Sequence, residues 1–151
     1  MSASLDTASV ERVIPAPAEE IFALLADPRR HHEFDGSGTV RNAKQLPERL
    51  ALGAKFGMSM RWGAPYSMVS TVIEFDPPQR IAWQTWPPGP ARYLLGGRIW
   101  RYELEPADGG TLVRETWDIS HERIRAAVLP LREKTIESMT KTLERIEAVL
   151  A

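Results

Sequence analysis

The sequence contains no cysteine, which excludes disulfide bonds, thiolate zinc sites and cysteine nucleophiles. It also lacks any run of about 18 apolar residues, and its first segment, MSASLDTASVERV, has neither the charged nor the apolar region of a signal peptide. The 19 basic and 20 acidic residues leave a formal net charge of -1, so no basic field favours nucleic acid or an anionic membrane. These absences predict a cytoplasmic protein that neither inserts into a membrane nor binds nucleic acid.

The length of 151 residues fits one domain, residues 1–151, with enough volume for one core and an internal pocket. The N-terminal part predicts a short strand that ends at Ile14, followed by the breakers Pro15 and Pro17. A compact helix follows, and Asp27 before Pro28 ends it because a residue before proline avoids helical geometry. The segment RRHHEF predicts a second short helical turn.

From residue 38 to residue 119 the pattern changes to strands separated by turn clusters such as DPPQ and PADGG, which predicts an antiparallel meander. The C-terminal segment LREKTIESMTKTLERIEAVL has the apolar stripe of a long helix. Pro130 lies either in the first turn of this helix or between it and a shorter helix at residues 124–129. The stripe must be buried against the meander. The sequence therefore predicts an α+β fold, in which a curved antiparallel sheet of six to seven strands wraps around the C-terminal helix and two short helices follow the first strand.

The strand GGTLVRETWDIS places a carboxylate on its apolar face. If Trp117 and Ile119 face the interior, period-two alternation turns Glu115 inward with them. A hairpin loop of four residues at ADGG sets Tyr102 opposite Glu115 and Trp100 opposite Trp117. Burial without a partner would raise the pKa of Glu115 and leave a protonated donor or a general base near neutrality. The alternative is a carboxylate that pairs with an arginine or is wetted at a cavity rim.

The predicted inner wall is rich in aromatic rings and thioethers, which suit flat or flexible hydrophobic ligands. The alternative is a packed core. The wall consists of Phe56, Met58, Met60, Trp62, Trp83, Trp100, Tyr102 and Trp117. Glu115, together with Tyr93 of the loop WPPGPARYLLGGR and Met139 and Leu143 of the last helix, completes the predicted ligand-binding set. We also predict that Gly96 and Gly97 act as a hinge by which that loop closes a pocket mouth, unless the loop packs against the helix end.

One strand register stays open. Between residues 66 and 86 the pairing of Val72 with Trp83 is reasonable, but it leaves Val69, Ile73 and Phe75 on the opposite face.

The histidines do not predict a metal site. His31 and His32 are neighbours on a helical turn and point about 100° apart, which disfavours joint chelation. We expect both to be solvated or to line an entrance, with His31 able to bond Asp35. Catalytic triads, phosphate-binding glycine loops and nucleotide fingerprints are absent from the sequence, so neither a cofactor nor a metal is predicted.

Four segments together resemble a known superfamily: IPAPAEEIFALLADPRR, IEFDPPQRIAWQT, YELEPADGGTLVRETWDIS and the terminal helix. They are similar to the helix-grip proteins of the SRPBCC superfamily, which include START lipid-transfer domains, birch-pollen-type allergens and bacterial polyketide cyclase/dehydrase proteins. The resemblance covers nearly the whole chain and implies a helix-grip fold whose cavity, between sheet and long helix, holds apolar or amphipathic small molecules. The superfamily shares no single catalytic set, so it assigns no catalytic residue here.

Three functions are compatible with these observations. The favoured one is binding of a lipid-like or aromatic, polyketide-like molecule between the sheet and residues 136–150, with Glu115 and Tyr102 orienting its polar end. The second is a cyclase or dehydratase in which Glu115, with Tyr102 beside it, acts as acid or base. The third is a stress-related or chaperone-like interaction protein that uses its outer surface. The sequence leaves monomer and homodimer open.

Overall fold

A computed structural model describes residues 5–35, 40–44, 49–62 and 64–151, and side chains are described except at 40–44, 58–62 and 64–67. Within these residues the chain forms seven strands, β1 Thr7–Ile14, β2 Val40–Lys44, β3 Lys55–Trp62, β4 Ala64–Asp76, β5 Arg80–Trp86, β6 Arg98–Ala107 and β7 Gly110–Asp118. It also forms four helices, α1 Ala18–Leu25, α2 His31–Phe34, α3 Arg125–Val128 and α4 Arg132–Leu150. Three 3-10 turns occupy Pro28–Arg30, Gly89–Tyr93 and Leu129–Leu131.

The strands form one antiparallel sheet in the order β1-β7-β6-β5-β4-β3-β2. Strands β2 to β7 are a continuous meander, and β1 pairs with the last strand of that meander. This architecture confirms the predicted α+β helix-grip fold, with a curved sheet, two short helices after the first strand and a long C-terminal helix.

The hairpin of β6 and β7 has the predicted register. Tyr102 lies opposite Glu115, and Trp100 lies opposite Trp117. The loop is shorter than the predicted four residues, because Ala107 and Gly110 also pair. The predicted register is unchanged, because the pair of Ala107 and Gly110 only adds one more step to the hydrogen-bonded ladder of β6 and β7.

A β-bulge resolves the register of β4 and β5. Val72 lies opposite Trp83, as predicted, but the pairing shifts between Val72 and Glu74, and Phe75 lies opposite Ile81. One extra residue in β4 reverses the alternation. Phe75 therefore reaches the interior, where its ring packs edge-on against α1, with 5.5 Å between the ring centroids of Phe22 and Phe75.

Helix α4 buries one side against the sheet and exposes a charged side. Its buried residues are Met139, Thr142, Leu143 and Ile146. Pro130 lies in the 3-10 turn that separates α3 from α4, so the second of its two predicted placements, between the two helices, is correct. Among the described residues, no helix combines the length and the apolar character needed to cross a membrane.

The buried apolar side chains form two clusters. The larger joins α1, the middle of the sheet and the C-terminal half of α4. The smaller consists of Ala8, Trp117, Ile119, Val128 and Met139. Val10 and Trp100 pack against both clusters. The interior between sheet and helix is therefore divided, and β7 runs from one cluster to the other.

Candidate functional site

Glu115 lies on β7 between the two clusters and points into the interior. Its side chain is flanked on the same face by Val113 of the larger cluster and Trp117 of the smaller one. Only 3% of Glu115 is exposed. The Tyr102 hydroxyl donates a hydrogen bond of 3.0 Å to Glu115 Oε2, whereas Oε1 is buried and has no partner among the described residues.

Burial raises the pKa of Glu115 from 4.5 to about 8. The hydrogen bond from Tyr102 opposes this increase, and the negative charge of Asp35 adds to it. No basic side chain of the described segments contributes, so the partner is Tyr102 and not an arginine. Burial and Glu115 together raise the pKa of Tyr102 well above its usual value of 10.0. At neutral pH the site is therefore an uncharged carboxyl bonded to an uncharged phenol.

Trp117 provides a second unpaired polar group on the same strand. Its side chain is fully buried, and the described part of the chain offers its indole Nε1 no hydrogen-bond acceptor. Most buried polar groups in proteins are paired, and leaving one unpaired costs about 1 to 3 kcal/mol. Glu115 and Trp117 are two positions apart on one face of β7, which corresponds to about 6.6 Å along the strand.

A line of aromatic rings extends from Tyr102 toward α2. Trp83 lies beside Tyr102, with 5.6 Å between ring centroids, and Phe56 packs edge-on against Trp83 at 5.6 Å. The His31 ring stacks on Trp83 at 5.0 Å with an interplanar angle of 22°. Rings from three strands and one helix thus form a continuous wall beside Glu115.

His31 is buried, which corrects the prediction that it is solvated or lines an entrance. Only 5% of this residue is exposed. Its Nε2 lies 2.8 Å from the Leu25 carbonyl oxygen, and since a carbonyl only accepts, Nε2 carries the hydrogen. Nε2 therefore bonds to the Leu25 carbonyl, whereas the sequence suggested a bond to Asp35. Burial lowers the pKa of His31 from 6.5 to about 4, so the ring is neutral at pH 7. His32 is exposed, as expected.

The sequence did contain a signal for the burial of His31. Phe34 follows three residues later, on the same side of the helical turn, and is itself buried. The two rings contact edge-on, with 5.4 Å between their centroids.

The structure brings most of the predicted ligand-binding residues to the interior. The described members that are buried or half-buried there are Phe56, Trp83, Trp100, Tyr102, Glu115, Trp117, Met139 and Leu143. The side chains of Met58, Met60 and Trp62 lie outside the described residues. Tyr93 is apart from this group, because it is 64% exposed and its ring lies under the Arg92 guanidinium at 5.2 Å.

The loop around Tyr93 is fixed at its glycine pair. The Gly97 amide donates to the Thr85 carbonyl at 2.9 Å, and the Gly96 amide donates to Glu122 Oε1 at 2.9 Å. A Cβ atom on Gly97 would overlap the His121 carbonyl oxygen. These contacts give the pair an anchoring role where the sequence suggested a hinge. Glu122, 8% exposed, was not identified from the sequence, because its partner is a backbone amide 26 residues away.

Within the described segments, no group of three or more acidic or histidine side chains is positioned to hold a metal ion.

Comparison with known proteins agrees with this fold. The family model described as polyketide cyclase / dehydrase and lipid transport matches residues 6–151. An uncharacterized protein from Mycobacterium tuberculosis, Rv0088, is 42% identical over 107 residues, which are 70% of this chain and 44% of that protein. The chain thus spans less than half of the length of this relative.

Solved structures share the fold at low sequence identity. CV1439 from Chromobacterium violaceum superimposes with a TM-score of 0.73 at 18% identity, over 95% of this chain and 96% of that one. The AHSA1-like protein from Aeromonas hydrophila gives a TM-score of 0.65 at 17% identity, over 95% and 93% of the two chains.

Proposed function

The chain belongs to the polyketide cyclase/dehydrase and lipid transport family, and from that premise we propose that it binds a hydrophobic small molecule between the inner face of the sheet and α4. The observation that carries this proposal is the uncharged Glu115 carboxyl, buried beside an aromatic wall with Oε1 unpaired. An amphipathic ligand would bury its apolar body on the wall and give Oε1 a partner.

The wall would supply most of the affinity. Trp83, Tyr102 and Trp100 present large flat surfaces on neighbouring strands, whereas Met139 and Leu143 face them from α4. A ligand that buries about 300 Å² of apolar surface gains roughly 7 kcal/mol at about 25 cal/mol per Å². This gain alone corresponds to a Kd of about 10 μM, and the loss of ligand freedom offsets part of it, so we expect a Kd of about tens to hundreds of micromolar. Lipid-like chains and aromatic, polyketide-like ring systems both fit such a surface.

The first experiment is a titration with N-phenyl-1-naphthylamine, an uncharged fluorophore that brightens in apolar surroundings. We expect a saturable signal with about one probe per chain and a micromolar Kd. A folded protein that gives no saturable signal with this probe or with Nile red would contradict the proposal.

A pair of tryptophan variants on α4 locates the bound probe. Met139→Trp enlarges a buried side chain that packs with Trp117, and we expect it to weaken probe binding at least tenfold. Lys141→Trp adds the same ring at an exposed position two residues away and should leave the Kd within twofold. Far-UV circular dichroism checks that both variants are folded. Equal Kd values for the two folded variants would mean that the probe binds elsewhere.

A second candidate function, a cyclase or dehydratase, is favoured by the pKa of Glu115, which burial brings to about 8. A carboxyl near neutrality can remove a proton from a carbon next to a carbonyl or give a proton to a leaving hydroxyl. Tyr102, bonded to Oε2, would hold the carboxyl in place. The test is turnover of a model β-keto substrate. Glu115→Gln should then lower kcat by about 100-fold or more, and unchanged turnover would remove Glu115 from catalysis.

A further inference from the structure

Strand β7 carries two buried polar atoms without a hydrogen-bond partner in the described chain, Glu115 Oε1 and Trp117 Nε1. The two residues are 3% and 0% exposed, and the described residues provide neither atom with a hydrogen-bond partner. Because native proteins pair nearly all buried polar groups, two orphans on one strand face point to a group that comes from outside the chain. We propose that Glu115 and Trp117 form a two-donor anchor for uncharged oxygens of the ligand, which selects ketones, esters, alcohols or phenols over carboxylates. This inference rests on the proposed function and names the ligand class of the same site.

Both groups of the anchor act as donors. An indole N–H can only donate. Glu115 Oε2 already accepts from the Tyr102 hydroxyl, so the neutral carboxyl carries its own proton on Oε1. The ligand must therefore present an acceptor to Oε1 and to Nε1. The two residues lie on the same face of β7, about 6.6 Å apart along the strand, so two nearby oxygens of one ligand can serve both donors.

The charges around the anchor disfavour an anion. Arg101 of β6 and Arg114 of β7 alternate to the outer face of the sheet, where Arg101 lies 2.6 Å from Glu74 and Arg114 lies 2.6 Å from Glu11. Within the described segments no cation contributes to the pKa of Glu115, and the one charge that does is the negative charge of Asp35. A buried anion without a counter-charge is far more costly than a hydrogen-bonded neutral oxygen. The anchor offers hydrogen bonds without positive charge.

Three naphthalenes of similar size and shape test the inference, by displacement of N-phenyl-1-naphthylamine. They are 2-acetylnaphthalene, which has a neutral acceptor, 2-naphthoate, which has a carboxylate, and 2-ethylnaphthalene, which has no polar group. We expect the ketone to displace the probe at least tenfold more effectively than the carboxylate and more effectively than the hydrocarbon. Equal or better displacement by 2-naphthoate would overturn the inference.

Variants at the two anchor positions give the second readout. Trp117→Phe removes the N–H and keeps an aromatic ring, so the affinity for 2-acetylnaphthalene should fall about three- to tenfold, while that for 2-ethylnaphthalene should change less than twofold. Trp86→Phe is the matched control, because Trp86 stacks under Arg123 at 5.1 Å and is not part of the interior wall. Glu115→Leu should weaken ketone binding by a similar factor, and Glu115→Gln should recover it through its amide donor.

The outcomes separate this inference from the proposed function. If Trp117→Phe weakens the ketone and the hydrocarbon equally, the indole only packs, and the inference fails while hydrophobic binding stands. If the folded protein does not bind the probe at all, the proposed function fails, and the anchor fails with it.

Discussion

Replacing Glu115 by glutamine should change how the free energy of unfolding depends on pH. Burial raises the pKa of this carboxyl from 4.5 to about 8, with Tyr102 and Asp35 as the titratable groups that act on it. Between these two pH values the folded chain holds a proton that the unfolded chain has released. The folded state therefore loses stability as pH rises from about 4.5 to about 8, and the loss is complete above that range.

The size of the effect follows from the pKa shift. Each pKa unit corresponds to about 1.4 kcal/mol, so the full loss approaches 5 kcal/mol as an upper limit. This is a large part of the 5 to 15 kcal/mol that stabilises a typical protein. Glutamine keeps the shape of the carboxyl and does not titrate. The difference in stability between Glu115→Gln and the parent protein should thus shift in favour of the variant by about 3 kcal/mol between about pH 5.5 and pH 8.5.

Urea unfolding, followed by tryptophan fluorescence at about pH 5.5, 7 and 8.5, measures this difference. Comparison of variant with parent cancels the contribution of every other titrating group. Glu137→Gln, which changes an exposed carboxyl on α4, is the matched control and should give a pH profile parallel to that of the parent. A parallel profile for Glu115→Gln as well would show that Glu115 is not buried as an uncharged group.

Two further predictions concern His31 and Gly97. Burial lowers the pKa of His31 from 6.5 to about 4, so its contribution to stability is present above pH 6.5 and is lost as pH falls toward 4. His31→Phe should therefore be less stable than the parent at pH 7, because it loses the hydrogen bond to Leu25. Near pH 4 the difference in the free energy of unfolding, measured with urea, should be smaller by up to about 3 kcal/mol. A difference that does not change with pH would contradict this reasoning. Gly97→Ala should lower the free energy of unfolding by about 3 kcal/mol or more, because φ is +109° and the new Cβ overlaps the His121 carbonyl. Gly53→Ala, where φ is +82° and no atom lies within 4 Å of the new Cβ, should lower it by only about 1 to 2 kcal/mol. Equal shifts in Tm for the two variants would refute the overlap argument.

The hairpin of β6 and β7 could be predicted from sequence because its information is local. Period-two alternation placed Trp100 and Tyr102 on one face, and a turn cluster nearby fixed which residues oppose them. The same reasoning brought Glu115 inward and identified Tyr102 as its neighbour, both of which the structure confirms. Even an incorrect loop length left the pairing unchanged.

The register of β4 and β5 could not be predicted in the same way. A bulge after Val72 adds one residue to β4, which reverses the alternation and turns Phe75 inward. No residue type in the sequence marks this bulge, because Ile73 suits an ordinary strand equally well. The burial of His31 depends on Trp83 and Phe56, which follow it by 52 and 25 residues, and local patterns carry no information about such contacts.

The proposed binding at Glu115 would connect ligand affinity, stability and pH through one proton. Glu115 Oε1 and Trp117 Nε1 have no hydrogen-bond partner in the described chain and each lowers the stability of the free protein, so a ligand that supplies acceptors should stabilise the folded state beyond what its apolar area provides. Such a ligand accepts from the proton on Oε1 and therefore binds only the uncharged carboxyl. By linkage, its binding must raise the pKa of Glu115 above about 8 and must take up a proton from solution at higher pH. A ligand held by apolar contact alone would have no preference between the two protonation states and would not shift that equilibrium, so the pH dependence of affinity distinguishes an anchored ligand from one that only fills space.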